Sequence, residues 1–242
     1  MFQLLQSHTS VRHYTNEEIP QETIHDIVLS GQHASSSNFV QAYSIIHVTD
    51  EDKKRKLADL SNNHTQIESA PVTFVFCADL YRVKRAAEKH TSAFYGKTAE
   101  NFLVAIIDTA LFAQNIAVAA ESKGYGICYI GGIRNNIKAV SDLFNLPEFV
   151  MPLFAMTIGV PAKRNEVKPR LPQEAIIHEN SYYTEKYDDL LTMYDDIMRL
   201  YYKNRSENKK ASCWTRDMAN FLGEIRREHM QSFINDKGFF LS

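Results

Sequence analysis

The residues with the clearest chemical potential near the start of the chain are His8, Thr9, Ser10 and Arg12, in the stretch H-T-S-V-R-H-Y-T-N-E-E-I-P from 8 to 20. A histidine, two hydroxyls and an arginine so close together can hold an anionic ligand, because a fixed guanidinium offers charge-assisted hydrogen bonds. The same residues also fit a solvated N-terminal arm. Two other stretches raise the same question. In Y-I-G-G-I-R-N-N, at 129 to 136, a strand runs into adjacent glycines at a helix start, where a ligand can approach backbone N–H groups closely. In K-P-R-L-P, at 168 to 172, prolines stiffen a turn that carries two cations. Taken singly, each also fits a tight turn or a surface loop. No nucleophilic triad or pair of acid–base carboxylates stands out.

The elements that must position these residues follow from hydrophobic patterning. After Pro20, the residues Ile24, Ile27, Val28 and Gly31 recur at helical spacing and predict a one-sided helix. Y-S-I-I-H-V-T-D at 43 to 50 reads as a strand, and the charged E-D-K-K-R-K-L-A-D-L after it as a helix with a solvated face. P-V-T-F-V-F-C-A-D at 71 to 79 is more apolar and reads as a central strand. Two further strands are expected at 126 to 132 and 149 to 160, the latter bounded by Pro161. Phe102 to Ala120 is nearly apolar over a membrane-spanning length, but Asp108, Gln114 and Asn115 interrupt it. It is expected to be a buried central helix, stopped near Lys123 by G-Y-G, and able to pack on a second copy of the chain. Beyond Asn180 the chain reads as helical and polar, with a mobile basic loop at 203 to 212. No repeat or linker is visible, so the architecture is a mixture of strands layered between helices in a single domain, 1 to 242.

Composition narrows the function. With 242 residues and 44% hydrophobic side chains a substantial core is possible, and a net charge of -2 gives no reason to expect nucleic acid or an anionic membrane as partner. Cys77, Cys128 and Cys213 are far apart with no C-x-x-C pair, which argues against a disulfide framework, argues against a zinc site, and suits a reducing cytoplasm. The start M-F-Q-L-L-Q-S-H lacks the features of a signal peptide.

Six stretches follow one another across nearly the whole chain: H-T-S-V-R-H-Y, S-S-S-N-F-V-Q at 35 to 41, F-V-F-C-A-D, A-Q-N-I-A-V-A-A-E-S-K-G, Y-I-G-G-I-R-N and K-P-R-L-P. In that order they resemble the flavin-dependent nitroreductase family, and more closely its NADPH-preferring FMN reductase and oxygen-insensitive nitroreductase branch. The resemblance implies an α+β fold with a central, mostly antiparallel sheet flanked by helices. It implies a C-terminal helical extension over 181 to 242, and an intertwined homodimer with two non-covalent FMN sites, each built from both chains. His8, Thr9, Ser10 and Arg12 would line one side of FMN, and Lys168 and Arg170 would grip its phosphate. Arg12 would also lie near the flavin edge where negative charge develops on reduction, as electrostatic support. Ser36, Ser37 and Asn38 would contact ribityl and phosphate oxygens, and Gln41 would approach from the partner subunit. Tyr129, Ile130, Gly131 and Gly132 would run along the isoalloxazine, with a backbone N–H near Gly131 facing N5.

The resemblance has departures. Thr9 stands where the branch commonly has arginine, and His64 where relatives usually place a glutamine facing the pyrimidine edge; His64 is still expected to contact the flavin. Arg205 and Lys210, near Trp214, fall where relatives present arginines to the 2′-phosphate of NADPH, and a lysine at 210 keeps the charge but loses the bidentate fork. Arg227 is expected in a helix, either edging the substrate opening or pairing with a surface acid. The implied activity is a ping-pong oxidoreduction. NADPH, as co-substrate, reduces bound FMN, which then reduces free flavin, a nitroaromatic, a quinone or a similar small acceptor, with no catalytic side chain required. The alternatives are a flavin-binding protein that delivers reduced FMN to a partner, and a soluble interaction domain whose basic clusters are incidental.

Overall fold

The computed structural model describes residues 1–90 and 93–240, so the last two residues of the anticipated 181 to 242 extension lie outside the described residues. The chain forms two compact units, Met1–Asn165 with Arg227–Ser242, and Glu166–Arg226.

The first unit begins with α1 (Phe2–Gln6) and α2 (Gln21–Gln32), then β1 (Tyr43–His47), α3 (Glu51–Ser61), α4 (His64–Glu68), β2 (Val72–Asp79), α5 (Tyr81–Ala87) and α6 (Ala99–Ser122). It continues with β3 (Gly126–Ile130), a 3-10 turn over Gly131–Asn136, α7 (Ile137–Leu143) and β4 (Val150–Gly159). The four strands pair antiparallel in the order β1-β2-β4-β3. Every residue of β2 is buried, because alternate side chains enter different cores. Phe74 and Phe76 join Ile24, Ile27, Phe112, Ile116, Met156 and Ile158, whereas Val75 and Cys77 join Leu57, Ala58, Cys128, Ile130, Val140 and Ala155. The sheet is thus sandwiched between α2 with α6 and α3 with α7, in agreement with strands layered between helices.

Helix ends follow local chemistry. The Asp50 carboxylate accepts the Lys53 N–H at 2.9 Å and caps α3, and the Thr98 hydroxyl accepts the Asn101 N–H at 3.2 Å and caps α6. Past α6, Gly124 adopts φ +89°, a left-handed conformation open to glycine, so the anticipated stop is realised. The charge run of α3 is solvated as expected, with Glu51, Asp52, Lys53, Arg55 and Lys56 exposed and one exception. Lys54 of the charged helix α3 is buried, reaching Glu51 at 3.8 Å. Helix α6 is buried on one side only: Leu103, Ile107 and Leu111, four residues apart, are 53%, 53% and 43% exposed.

The second unit contains α8 (Gln173–Ile176), α9 (Tyr187–Asn204) and α10 (Trp214–Leu222), and α11 (Met230–Asp236) follows in the first unit. Tyr194, Met198 and Tyr202 on α9 form the small core of the second unit with Leu171, Tyr201 and Trp214. The basic break falls between α9 and α10 as the sequence indicated. Its C-terminal end is braced, because the buried Asp195 carboxylate accepts the N–H of Thr215 at 2.9 Å and also its hydroxyl.

Candidate functional site

The N-terminal arm is tied by backbone hydrogen bonds to β3 and to the segment that follows β4. Val11 N–H donates to the Ile127 carbonyl at 2.8 Å, Thr15 N–H to Val160 at 2.9 Å, and Ala162 N–H to His13 at 3.0 Å. Tyr14, buried beneath it, donates from its hydroxyl to the Val11 carbonyl at 2.8 Å. Arg12 is thereby held beside β3, close enough for its charge to oppose the upward effect of burial on the Cys128 thiol. Among the described residues no carboxylate lies within ion-pair distance of Arg12, so its cation remains available.

Three contacts tie the candidate residues to α6. His8 Nδ1 lies 2.6 Å from the Glu121 carboxylate, and the Tyr129 hydroxyl donates to Gln114 at 3.3 Å. Burial, reinforced by Glu121, raises the Tyr129 pKa and keeps its phenol protonated. The third is Asp108, fully buried, whose two carboxylate oxygens accept the N–H groups of Ser37 at 2.9 Å and Ala42 at 3.1 Å. Between those anchors Asn38, Phe39 and Gln41 take φ values of 46°, 58° and 53°. Such left-handed residues are costly outside glycine and persist where surrounding contacts fix them. Asp108 and Gln114 appear in the sequence as interruptions of an apolar helix, and Gln114 and Glu121 as members of the A-Q-N-I-A-V-A-A-E-S-K-G stretch; a buried acid on such a helix needs hydrogen-bond donors, and that is the one signal of the role of Asp108.

At the strand-to-turn junction, Gly132 packs where side chains cannot fit: a Cβ there would lie 2.4 Å from the Ser61 carbonyl oxygen and 2.3 Å from Asn63 Nδ2. The α3–α4 connection is therefore pressed against the turn, which brings the His64 segment beside Gly132. The His64 ring itself is half-exposed, with Nδ1 at 3.1 Å from Glu68 and 3.6 Å from Asp59.

Arg227 precedes α11 at φ 57° rather than lying in a helix, and it pairs with no acid among the described residues. Its Nε and Nη2 donate to the Asn135 side-chain oxygen at 3.1 and 2.9 Å. Burial and the nearby Arg227 charge lower the pKa of Arg134, which donates to the Leu153 carbonyl. Two arginines thus stand together at the end of the Gly131–Asn136 turn.

Within the second unit, Arg170 Nη1 donates to the Lys168 carbonyl at 2.6 Å. Lys168, Arg205 and Lys210 all converge on the Tyr202 ring, at 5.6, 5.0 and 4.3 Å from its centroid. Burial lowers the Lys168 pKa, with Lys210, Arg170 and Arg205 adding repulsion and Asp217 opposing it. An open cavity of about 630 Å³ adjoins Lys210 and Ser212, with Arg199, Lys203, Lys209 and Arg216 around it. Clustered cations of this kind suit a phosphate monoester.

The first unit therefore has an uncompensated guanidinium along a strand edge that runs into paired glycines, and a strained hydroxyl-rich loop; the second unit, by itself, has a cluster of cations. Each unit by itself thus offers cationic or hydrogen-bonding groups suited to an anionic ligand.

Residues 5–160 match the nitroreductase family and residues 168–242 the nitroreductase family C-terminal domain. The chain is 54% identical to a Cr(VI) reductase from Pseudomonas sp. (strain G-1), over 98% of each chain. It is 42% identical to an FMN reductase (NADPH) from Bacillus subtilis, over 96% of this chain and 95% of that protein. The structure of the NfrA1 nitroreductase from B. subtilis superposes with a TM-score of 0.94 at 40% identity, covering 98% of both chains.

Proposed function

The chain belongs to the nitroreductase family, and on that premise we propose that it is an FMN-dependent enzyme in which NADPH is the electron donor and a small molecule the acceptor. The NADPH-dependent FMN reductase and nitroreductase type is supported by its relatives at 42 to 54% identity. Bound FMN would supply the redox chemistry, taking a hydride equivalent from NADPH and passing two electrons to the acceptor in a ping-pong sequence. The observation that carries this reading is the placement of Arg12, without an acid partner among the described residues, alongside the β3 edge that leads into Gly131 and Gly132.

The residues of this chain would divide the work. Arg12 balances negative charge near the flavin's pyrimidine edge, Tyr129 to Gly132 form the surface against which the ring lies, and His8, Thr9, Ser10 and His64 border it. Lys168 and Arg170 bind the phosphate. Ser36, Ser37 and Asn38 contact ribityl and phosphate oxygens, and Gln41, on the same loop, comes from the second subunit. Support for that last assignment is geometric. His8 is tied to Glu121 and the Ser37 loop to Asp108, thirteen residues apart on α6, and a helix rises about 1.5 Å per residue, so these anchors lie about 20 Å apart in one chain. A homodimer that brings a partner's loop to the first chain's arm resolves the separation, and the exposed Leu103, Ile107 and Leu111 stripe supplies an apolar surface for it.

The name of the 54%-identical relative adds a metal oxyanion to the acceptor range of free flavin, nitroaromatics and quinones. Arg227, beside Arg134, would attract acceptors that carry negative charge. The three buried free cysteines suit the cytoplasm.

The phosphate assignment is tested with Lys168→Ala and Arg170→Ala. Charge-assisted hydrogen bonds contribute about 1.5–3 kcal/mol each, so each variant should bind FMN about tenfold or more weakly while riboflavin, which lacks the phosphate, changes little. Flavin fluorescence titrations measure both, and equal losses for the two flavins would remove these residues from the phosphate site.

A further inference from the structure

The cations proposed to read the nucleotide's 2′-phosphate are already in contact with a carboxylate. Lys210 Nζ lies 2.7 Å from Asp217, whose other donors are the Tyr202 hydroxyl at 2.9 Å and the Ser212 hydroxyl at 2.6 Å. Asp217 sits in the first turn of α10, and Tyr202 in the last turn of α9, so the carboxylate spans the base of the basic loop. Lys210 at the same time rests 4.3 Å from the Tyr202 ring centroid, between carboxylate and aromatic face. Arg205 and Lys168 share that ring, and the Nε of Arg205 is buried with no hydrogen-bond partner. Three cations thus surround one ring with one acid in contact, an excess of positive charge that favours a dianion from outside.

Resting on the nucleotide reading above, we propose that Asp217 is a specificity-determining residue: it positions Lys210 on the Tyr202 ring and competes with the 2′-phosphate of NADPH for the same ammonium group. Asp217 is well suited to the part. Burial works to raise its pKa, but the hydrogen bonds from Lys210, Ser212 and Tyr202 outweigh that and hold it at about 2, so it remains a carboxylate throughout the working range. A phosphate monoester entering from the adjoining cavity of about 630 Å³, lined in part by Lys210 and Ser212, must displace or share that contact. NADH presents a neutral ribose hydroxyl at the same place and has no reason to break it. The carboxylate therefore lowers NADPH preference below what the cations alone would give, while keeping Lys210 ordered.

The test uses the FMN-loaded enzyme. Asp217→Asn keeps the shape and a hydrogen-bond acceptor but removes the competing charge. The ratio of kcat/KM for NADPH over NADH should rise about three- to tenfold, through a lower KM for NADPH at constant kcat, the size expected for one partly screened charge. Binding of adenosine 2′,5′-bisphosphate, measured by calorimetry, should tighten by the same factor and that of AMP should not. Asp217→Glu, which restores the carboxylate, should return both towards wild type. An unchanged ratio, or parallel losses for both nucleotides with a lower Tm, would overturn the proposal and leave Asp217 as a fold contact. Lys210→Ala separates the two readings. If it lowers the ratio while Asp217→Asn does nothing, the inference fails alone; if it leaves the ratio unchanged, the nucleotide reading fails with it.

Discussion

Replacing Asp108 with alanine is expected to lower the stability of the protein by about 2–4 kcal/mol and to weaken FMN binding with it. The carboxylate is fully buried and accepts two backbone N–H groups, from Ser37 and Ala42. Truncation leaves both donors without an acceptor, at about 1–3 kcal/mol for each buried group, although the Ser37 side is exposed and recovers part of this from water. No compensating release of an ion pair occurs, because no cation lies within ion-pair distance of Asp108 among the described residues. For a chain of this size the corresponding fall in Tm is roughly 5–15 °C. Asp108→Asn is the sharper variant. It is isosteric, yet its amide must turn an N–H towards one of the two backbone N–H groups, so most of the loss should remain. If the Ser36 to Gln41 loop belongs to the flavin site, FMN affinity falls in both variants even at temperatures where they are folded. Calorimetry and flavin titration check the two effects separately; a variant as stable as wild type would remove Asp108 as the anchor of the loop.

That anchor illustrates what could be read from the sequence. The four strands were legible because β-branched and aromatic runs are bounded by Pro, Gly or Asp, and the central place of β2 followed from a run apolar on both faces. The short helices His64–Glu68 and Tyr81–Ala87 were not, since five to seven residues carry too little periodicity. Asp108 was visible as a polar interruption, but its meaning depends on a loop seventy residues earlier in the chain. The left-handed Asn38, Phe39 and Gln41 give no signal, because Phe and Gln have no intrinsic preference for that region and are held there by Asp108 and the backbone around it. Similarly, H-T-S-V-R-H-Y names the residues of the arm but not its docking along β3, which is a tertiary event. The family resemblance supplied Lys168, Arg205 and Lys210 one by one. That all three surround Tyr202, with Asp217 beneath, required the helices to be packed.

The second large effect is expected from Arg205→Ala combined with Lys210→Ala. NADPH differs from NADH by the 2′-phosphate alone, so only contacts to that group can discriminate between the two, and specificity is the difference between their transition-state affinities. Both cations lie on the Tyr202 ring, and Lys210 is half-exposed. With a discount for that exposure, the double variant should lose roughly 10- to 100-fold in kcat/KM for NADPH, and little or nothing for NADH. Added salt should narrow the preference of the wild-type enzyme and affect the variant less, because exposed charge pairs are screened. Steady-state kinetics with both nucleotides at two ionic strengths provide the comparison. Parallel losses for NADPH and NADH, or no loss for either, would mean that the loop between α9 and α10 does not read the 2′-phosphate.

The central claim is that this chain binds FMN and that NADPH reduces it for delivery to a second molecule. Anaerobic titration of the FMN-reconstituted protein with NADPH tests it most directly. The flavin absorbance should bleach to completion at about one equivalent of NADPH per bound flavin, as a two-electron transfer requires, and return when a nitroaromatic or quinone is added. A protein that fails to retain FMN after reconstitution, or whose flavin spectrum stays unchanged under excess NADPH, would contradict the account.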